Sequence, residues 1–447
     1  MKLYRYALVM MIVAAPMLGA QGTVDSAIMA YVNGLKAIDN HAHPLLPPAA
    51  GTSTTAVPDT DNDALPLSGI SAFPMPAGLD PSNPRITAAW RALYGYQYTD
   101  LSDAHVKQLV DAKARVLREQ GPKYSTWALD RAGVDVMLGN RVVMGPGLDA
   151  PRFRWVSFVD PLLFPLDLSG EATTTPDARV LYPRETKVLK RYMGDIGVTA
   201  IPSTLDAYVS TIVLPTLDRM KRNGAVALKY EIAYLRSIDF GNPSHEAAAA
   251  IYAKYARGGV PTHEEYTTVE DYLFRTIGRA AGARSLAVHI HCLAFFGGYY
   301  NARGAEPIGL ESVLDDSTLR QTNFVIVHGG WPYSAQTLAL LEKPNFYADI
   351  SAMSLILSPH TLANVLRTWI EEFPDKVLFG SDTFADHNED AVGWPDQLWI
   401  ASHSARWALA AALTDLVRDG SVSRDRAKEI ANMVMRGNAA RLYGIGR

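Results

Sequence analysis

The feature that most constrains the fold is an alternation of short apolar runs with longer segments of helical periodicity. Eight runs have the length and composition of buried strands. They occupy residues 35–39, 134–138, 155–159, 225–229, 286–291, 324–328, 346–350 and 377–380. Strands that alternate with helices indicate βα units and a parallel sheet. Eight such units predict an α/β fold, the closed TIM (β/α)8 barrel. The alternative, an open doubly wound sheet, lacks a glycine-rich phosphate loop after any early strand.

The segment after the first predicted strand departs from this pattern. Residues 44–85 are rich in Pro, Gly, Ser and Thr and have neither helical nor strand periodicity, whereas residues 102–119 and 127–132 have helical spacing. A loop this long in a compact protein is usually a lid or a binding loop. We therefore expect one barrel domain over residues 21–447, with a long loop and helical insertion after strand 1.

Residues 1–20 have the pattern of a secretory signal peptide. Lys2 and Arg5 accompany an apolar stretch, residues 6–18, that leads to a small-residue exit. The stretch is shorter than the roughly 20 residues of a membrane-spanning helix, and an uncleaved N-terminal anchor is the alternative. We expect removal of this segment, no stable membrane insertion afterwards, and a periplasmic or secreted protein.

The composition limits the partners that this protein could have. Hydrophobic residues make up 48% of the chain and charged residues 20%, which is typical of a soluble globular enzyme. The net charge of -4 and the lack of any Lys/Arg-rich run argue against a nucleic-acid partner. The single cysteine, Cys292, excludes an intrachain disulfide and is interpreted as a buried structural thiol. We expect a small-molecule substrate, and the sequence leaves a homo-oligomer open.

Two pairs of histidines lie at the ends of predicted strands. His41 and His43 end the first strand, and strand alternation puts both imidazoles on one face, close enough to chelate one ion. Such a pair also occurs on protein surfaces, so alone it indicates little. His289 and His291 end the fifth strand. His291 is the better candidate ligand, because the deeper His289 is more simply explained as a hydrogen-bonded core histidine.

Two further polar residues end apolar strands. His328 follows the sixth strand, and Asp382 follows the eighth. The C-terminal ends of the strands form the face on which TIM barrels place their catalytic groups. Asp382 is therefore either a metal ligand or the N-cap of the next helix.

Taken in order, these strand ends resemble the metal-ligand series of the amidohydrolase superfamily across nearly the whole mature chain. There is a particular likeness to the branch that contains the aminocarboxymuconate-semialdehyde-decarboxylase-like and nodulin/glutamine-synthetase-associated amidohydrolases. The resemblance is carried by residues 38–44, 328–333, 345–351, 378–382 and 437–442.

The resemblance implies a role for each of these residues. His41, His43 and His291 would supply nitrogen ligands, and Asp382 an oxygen ligand that also handles a proton. His328 would be the catalytic acid/base or would polarise the substrate. Mixed nitrogen and oxygen ligation suits Zn²⁺, with Mn²⁺ or Fe²⁺ as alternatives. Such an ion can lower the pKa of a bound water from about 15.7 to about 7.

Three residues near the fourth strand have more than one interpretation. The resemblance implies either a carboxylated Lys229 that bridges two metals or a Lys229 that contacts substrate, and a lysine extended to the barrel rim is the plainer alternative. We favour one metal and a substrate contact. Glu231 lies on the same strand face and is a further candidate ligand. The planar guanidinium of Arg236 could bind a substrate carboxylate, or Arg236 could form a surface ion pair.

The function expected from these residues is that of an exported hydrolase. Metal-activated water would attack a C–N or C–O bond of a small substrate. The alternative is a non-oxidative decarboxylase of the same branch, in which Lys229 or Arg236 positions a carboxylate and His328 donates a proton. A barrel that binds a ligand without turnover is the third hypothesis.

Overall fold

Eight parallel strands form the centre of the protein within the part of the chain that the structure describes. The computed structural model describes residues 23–46, 59–65, 69–72, 74, 76–384 and 392–445. The strands pair in the order of the chain, each with the next. They are β1 (Ala37–Ala42), β2 (Val134–Arg141), β3 (Phe153–Phe158), β4 (Ala225–Tyr230), β5 (Ala287–His291), β6 (Phe324–Val327), β7 (Phe346–Asp349) and β8 (Val377–Leu378). All eight predicted strands are thus present, and the predicted TIM barrel is confirmed.

The short β8 and the segment after it close the barrel against β1. The backbone N–H of Asn40 donates to the Phe379 carbonyl at 2.9 Å, and that of Asp382 donates to the His41 carbonyl at 2.7 Å. The N–H of His43 donates to the Thr383 carbonyl at 2.7 Å. Because these bonds join the two strand ends directly, they hold the predicted ligands of β1 beside Asp382.

Helices follow most of the strands and cover the outside of the barrel. Within the described residues they are α1 (Ser26–Gly34), α2 (Pro84–Tyr94), α3 (Asp103–Gln120), α4 (Tyr124–Ala132), α5 (Ala178–Asp195), α6 (Leu205–Tyr208), α7 (Leu214–Arg222), α8 (His245–Tyr255), α9 (His263–Ala283), α10 (Glu311–Leu314), α11 (Ser334–Leu340), α12 (Met353–Ile356), α13 (Pro359–Glu372), α14 (Trp394–Arg418), α15 (Arg424–Asn432) and α16 (Asn438–Tyr443). The two predicted helices of the insertion correspond to α3 and α4.

The insertion between β1 and β2 has a small core of its own. Trp90 of α2 and Leu109 of α3 are buried there together with Ile400 of α14. Helix α2 was not predicted, although Asn83 caps it and Pro84 occupies its first turn. The expected loop and helical insertion is therefore present, but residues 47–58, 66–68, 73 and 75 of its loop lie outside the described residues.

The two ends of the chain contribute differently to the described fold. The predicted signal peptide, residues 1–20, lies outside the described residues. Among the helices that are described, none is long and apolar enough to cross a membrane. At the other end, α16 packs its Ala439 with the interior residues of the barrel, among them Ile38 and Val325.

Candidate metal centre

The predicted site residues at the ends of β1, β6 and β8 come together at one end of the barrel. Asp382 is their common neighbour, since its Oδ1 lies 3.2 Å from Nε2 of His41 and 3.6 Å from Nε2 of His43. Its Oδ2 lies 3.6 Å from Nδ1 of His328. All four side chains are buried. Residues far apart in sequence therefore present imidazole nitrogens and a carboxylate to one small volume.

His291 joins this cluster through His328. Its Nδ1 lies 3.1 Å from Nε2 of His328, while its buried Nε2 has no hydrogen-bond partner among the described residues. The donor atoms that approach within 4.8 Å of one another are those of His41, His328 and Asp382. The geometry thus brings both His291 and His328 to the centre, and their division into ligand and acid/base stays a prediction.

Two residues of the cluster have left-handed backbone conformations, His328 with φ 67° and Asp382 with φ 58°. Such conformations cost about 1–3 kcal/mol in non-glycine residues and persist when the surroundings hold them. Here the N–H of His328 donates to Oδ1 of Asp349 at 2.9 Å. Asp349 therefore holds the backbone that carries His328.

Burial sets the protonation of these groups. Burial, with the positive charge of Lys229 as the next cause, lowers the pKa of His41 and His291 well below the usual range. Burial also lowers the pKa of His43 to about 4. The imidazoles are therefore neutral near pH 7, which is the form that binds a metal. Burial raises the pKa of Asp382 well above its usual range, and a bound cation would oppose that effect.

The donor set fits a divalent transition metal. Neutral imidazole nitrogens together with one carboxylate are typical of Zn²⁺ sites and also serve Mn²⁺ and Fe²⁺. The unpartnered Nε2 of His291 is a buried polar atom that a cation could satisfy.

Lys229 and Asn140 contact the same histidine from opposite sides. Lys229 is completely buried rather than extended to the rim, and its Nζ lies 3.2 Å from Nε2 of His41. The Asn140 carboxamide contacts Nδ1 of His41 at 2.8 Å, and its Oδ1 has no partner within the described part of the chain. The same Nδ2 of Asn140 also donates to the Ala42 carbonyl at 3.1 Å.

Glu231 lies beside His43, in a second group of donors. One donor atom each of His43, Asp63 and Glu231 lies within 4.8 Å of the others. Nδ1 of His43 is 3.4 Å from Oδ2 of Asp63. The sequence interpretation named Glu231 but missed Asp63, because Asp63 belongs to the aperiodic loop after β1.

Arg236 is engaged in an ion-pair network. Its guanidinium lies 2.8 Å from Glu270 and 2.8 Å from Asp271, both on α9, and it stacks on Phe240. The ion pair that was the alternative for Arg236 therefore forms, but it is buried rather than on the surface. Its predicted contact with a substrate carboxylate has no support in this geometry.

His289 has the environment of a hydrogen-bonded core histidine. Its Nε2 lies 2.7 Å from the hydroxyl of Tyr443, on α16. Burial, followed by Lys229, lowers its pKa to about 3. Cys292, the next residue beyond β5, is also buried, and its Sγ contacts the Ala305 carbonyl at 2.7 Å.

Comparison with known proteins agrees with this architecture. A presumed metal-dependent hydrolase from Lactobacillus casei is 15% identical, with a TM-score of 0.57 over 93% of this chain and 97% of that chain. Glucuronate isomerase from Caulobacter crescentus is 13% identical, with a TM-score of 0.59 over 94% of each chain. Uronate isomerase from Thermotoga maritima is 13% identical, with a TM-score of 0.58 over 80% of this chain and 78% of that chain. At these identities the likeness supports the fold alone.

Family membership rests on the sequence. No curated protein matches the chain significantly. The sequence model of a family described as Amidohydrolase matches residues 209–445, which are more than half of the chain and include β4 to β8. The likeness to one branch of the superfamily stays a prediction. The chain belongs to the amidohydrolase family.

Proposed function

We propose that this protein is a metal-dependent hydrolase that uses activated water to cleave a C–N or C–O bond of a small substrate. The observation that carries the proposal is the convergence of His41, His43 and His328 on Asp382 in one buried volume. His291 adds an unpartnered nitrogen beside them.

Each of these side chains has a task in the proposed reaction. His41, His43, His291 and Asp382 would hold the cation, which we propose to be Zn²⁺, with Mn²⁺ or Fe²⁺ as alternatives. When bound, the cation would make hydroxide available near neutral pH and polarise the scissile group. Asp382 would take the proton of the attacking water. His328 would stabilise the developing charge or protonate the leaving group.

The experiment combines metal analysis with an activity screen. The wild-type protein, His41→Ala and Asp382→Ala are analysed for bound metal and assayed with amide, lactone and ester panels in added Zn²⁺, Mn²⁺ or Fe²⁺. We expect turnover by the wild type, and loss of both metal and turnover in the variants. Metal retained in both variants, or no hydrolysis with any of the metals, would contradict the proposal.

Decarboxylation is the second candidate, and the buried ammonium of Lys229 favours it. That group lies 3.2 Å from Nε2 of His41 and could bind the carboxylate of an unsaturated or aromatic acid. Because Arg236 is paired with Glu270, Lys229 would have to serve alone as the positioning cation. Release of CO₂ from such acids, without hydrolysis of the panels, would identify this reaction.

Export is a separate proposal, supported by the charge and hydropathy pattern of residues 1–20. Expression in a bacterial host with cell fractionation would test it. We expect the mature protein in the periplasm or the medium, beginning near residue 21. A cytoplasmic protein that retains these residues would contradict export and leave the proposed reaction untouched.

A further inference from the structure

A short segment of the loop after β1 is fastened against the metal centre by three arginines. Arg141, at the end of β2, makes two bonds of 2.8 Å with the carboxylate of Asp59. Arg184 of α5 donates to the Thr60 carbonyl at 2.6 Å and to the Ala64 carbonyl at 3.1 Å.

The third arginine holds the middle of the segment. Arg191, also on α5, pairs with the carboxylate of Asp61. In addition, the Asp61 carbonyl accepts from the N–H of Val142 at 2.8 Å. Segment 59–65 is therefore fixed at both ends and in the middle, although the sequence around it has no periodic pattern.

The fastened segment places Asp63 beside Nδ1 of His43, whereas the other ring nitrogen faces Asp382. Oδ1 of Asp63 accepts from the N–H of Leu65 at 3.1 Å, while Oδ2 lies 3.4 Å from Nδ1 of His43, a buried atom without a hydrogen-bond partner among the described residues. The other ring nitrogen, Nε2, faces Oδ1 of Asp382 at 3.6 Å. The imidazole therefore lies between a carboxylate of the loop and the proposed cation site. Glu231, 4% exposed and with an unpartnered Oε2 among the described residues, borders Asp63 on the remaining side.

We infer that Asp63 is a positioning residue of the metal centre: it accepts the Nδ1 proton of His43 and so turns Nε2 toward the cation. The inference rests on the proposed function. A ligating histidine commonly donates its second N–H to a carboxylate, which fixes the tautomer and the ring orientation. Glu231 borders Asp63, and the three arginines hold the loop beside the metal centre.

The same three residues could instead bind a second cation. That arrangement would require His43 to use both ring nitrogens as ligands, and hence to lose both of its protons. A neutral imidazole carries one proton and offers one acceptor nitrogen. The orientation role needs only that neutral form, and for this reason we favour it.

The test is a Co²⁺ titration of the metal-free protein, compared among the wild type, Asp63→Ala, Asp63→Asn and Glu231→Gln. Asp206→Asn is the matched control, because Asp206 pairs with the exposed His245 at 2.7 Å, outside the site. We expect about a 10- to 100-fold weaker affinity in Asp63→Ala at unchanged stoichiometry. Asp63→Asn, which keeps an acceptor oxygen, should recover part of the loss, and the control should match the wild type.

A proton NMR spectrum of the Co²⁺ form provides the second measurement. We expect one exchangeable, paramagnetically shifted imidazole N–H signal to be lost or broadened in Asp63→Ala, while those of the other ligands remain. A protein merely weakened by the substitution would not lose one signal selectively. If Asp63→Ala does not fold, Asp63→Asn and Glu231→Gln decide by the same two measurements, with a smaller expected change.

Three results would overturn the inference. Wild-type affinity in Asp63→Ala would refute the positioning role and leave the proposed function intact. An additional Co²⁺ equivalent in the wild type, lost in Asp63→Ala or Glu231→Gln without weakening the first, would make Asp63 a ligand of a second site. A wild-type protein that binds no Co²⁺ would refute the proposed function and this inference together.

Discussion

Asp349 offers a quantitative test of how buried hydrogen bonds hold the residues around the metal centre in place. Its Oδ2 accepts from Nδ2 of Asn40 at 2.7 Å. Its Oδ1 accepts from the N–H of His328 at 2.9 Å and from the N–H and hydroxyl of Ser351 at 3.0 and 2.5 Å. One completely buried carboxylate therefore satisfies four donors. Asn40 in turn accepts from Tyr443, so the network extends to the bottom of the barrel.

Asp349→Asn and Asp349→Ala differ in how many of these bonds they remove. The amide keeps an oxygen for His328 and Ser351 but sets its NH₂ against the NH₂ of Asn40. It therefore loses one bond to a charged acceptor, about 1.5–3 kcal/mol. Alanine leaves Nδ2 of Asn40 and the N–H of Ser351 buried and unpaired, at about 1–3 kcal/mol each. The N–H of His328 and the hydroxyl of Ser351 keep only their mutual contacts, at 3.3 Å to Oγ of Ser351 and at 3.0 Å to Nδ1 of His328. We therefore expect Asp349→Ala to lose about 2–6 kcal/mol, more than Asp349→Asn.

The assay is urea denaturation of the metal-free variants, followed by metal analysis of the folded proteins. Asp425→Asn is the control, because its carboxylate is 93% exposed and should change stability by less than about 0.5 kcal/mol. We expect Asp349→Asn to retain metal, since the backbone of His328 is still held, and Asp349→Ala to lose it. Equal stabilities of the two variants, or an Asp349→Asn indistinguishable from the control, would refute the reasoning.

Three further predictions concern single side chains. If His291 is a ligand and His328 is the acid/base, His328→Ala should keep the metal and lose about 100-fold or more in activity. His291→Ala should lose the metal. The opposite pattern in metal analysis and activity would exchange the two roles. Burial raises the pKa of Glu185 well above its usual range, so its contribution to stability is present at low pH and lost as pH rises toward the folded-state pKa. Glu185→Gln, which resembles the protonated form, should therefore be more stable than the wild type at pH 8, with a gain that shrinks toward pH 5. A pH-independent difference in urea denaturation would contradict this. Arg236→Met removes the ion-pair partner of two buried carboxylates and should lower the free energy of unfolding, measured in urea, by about 3–5 kcal/mol. A changed KM at unchanged stability would instead favour a substrate contact.

The barrel could be predicted because its strands are local patterns. Apolar runs such as those of β5, β6 and β8 are bounded by polar or glycine residues and separated by helical segments, so each could be recognised from its own sequence. Parallel strands of a barrel end on one face, and for that reason His41, His328 and Asp382 could be expected together before any contact was known. Helix α2 was missed because its short amphipathic pattern follows a long stretch of turn-forming residues.

The supporting contacts could not be predicted in the same way. Asp63 lies in an aperiodic loop, and nothing in its neighbourhood indicates that Arg141, Arg184 and Arg191 fasten that loop beside His43. Asn140 lies beyond the second predicted strand and carries no local signal of a role, yet its amide contacts His41, 99 residues away.

The sequence by itself determined the class of fold, the strand ends that carry polar groups, and the family. The tertiary structure decided which of those groups meet, because side-chain contacts across a barrel depend on strand register and on the angle of each ring. Those quantities arise only when distant segments pack together. Arg236 illustrates the difference. Its guanidinium could bind a substrate carboxylate, but in the folded protein it is already paired with Glu270 and Asp271 of α9.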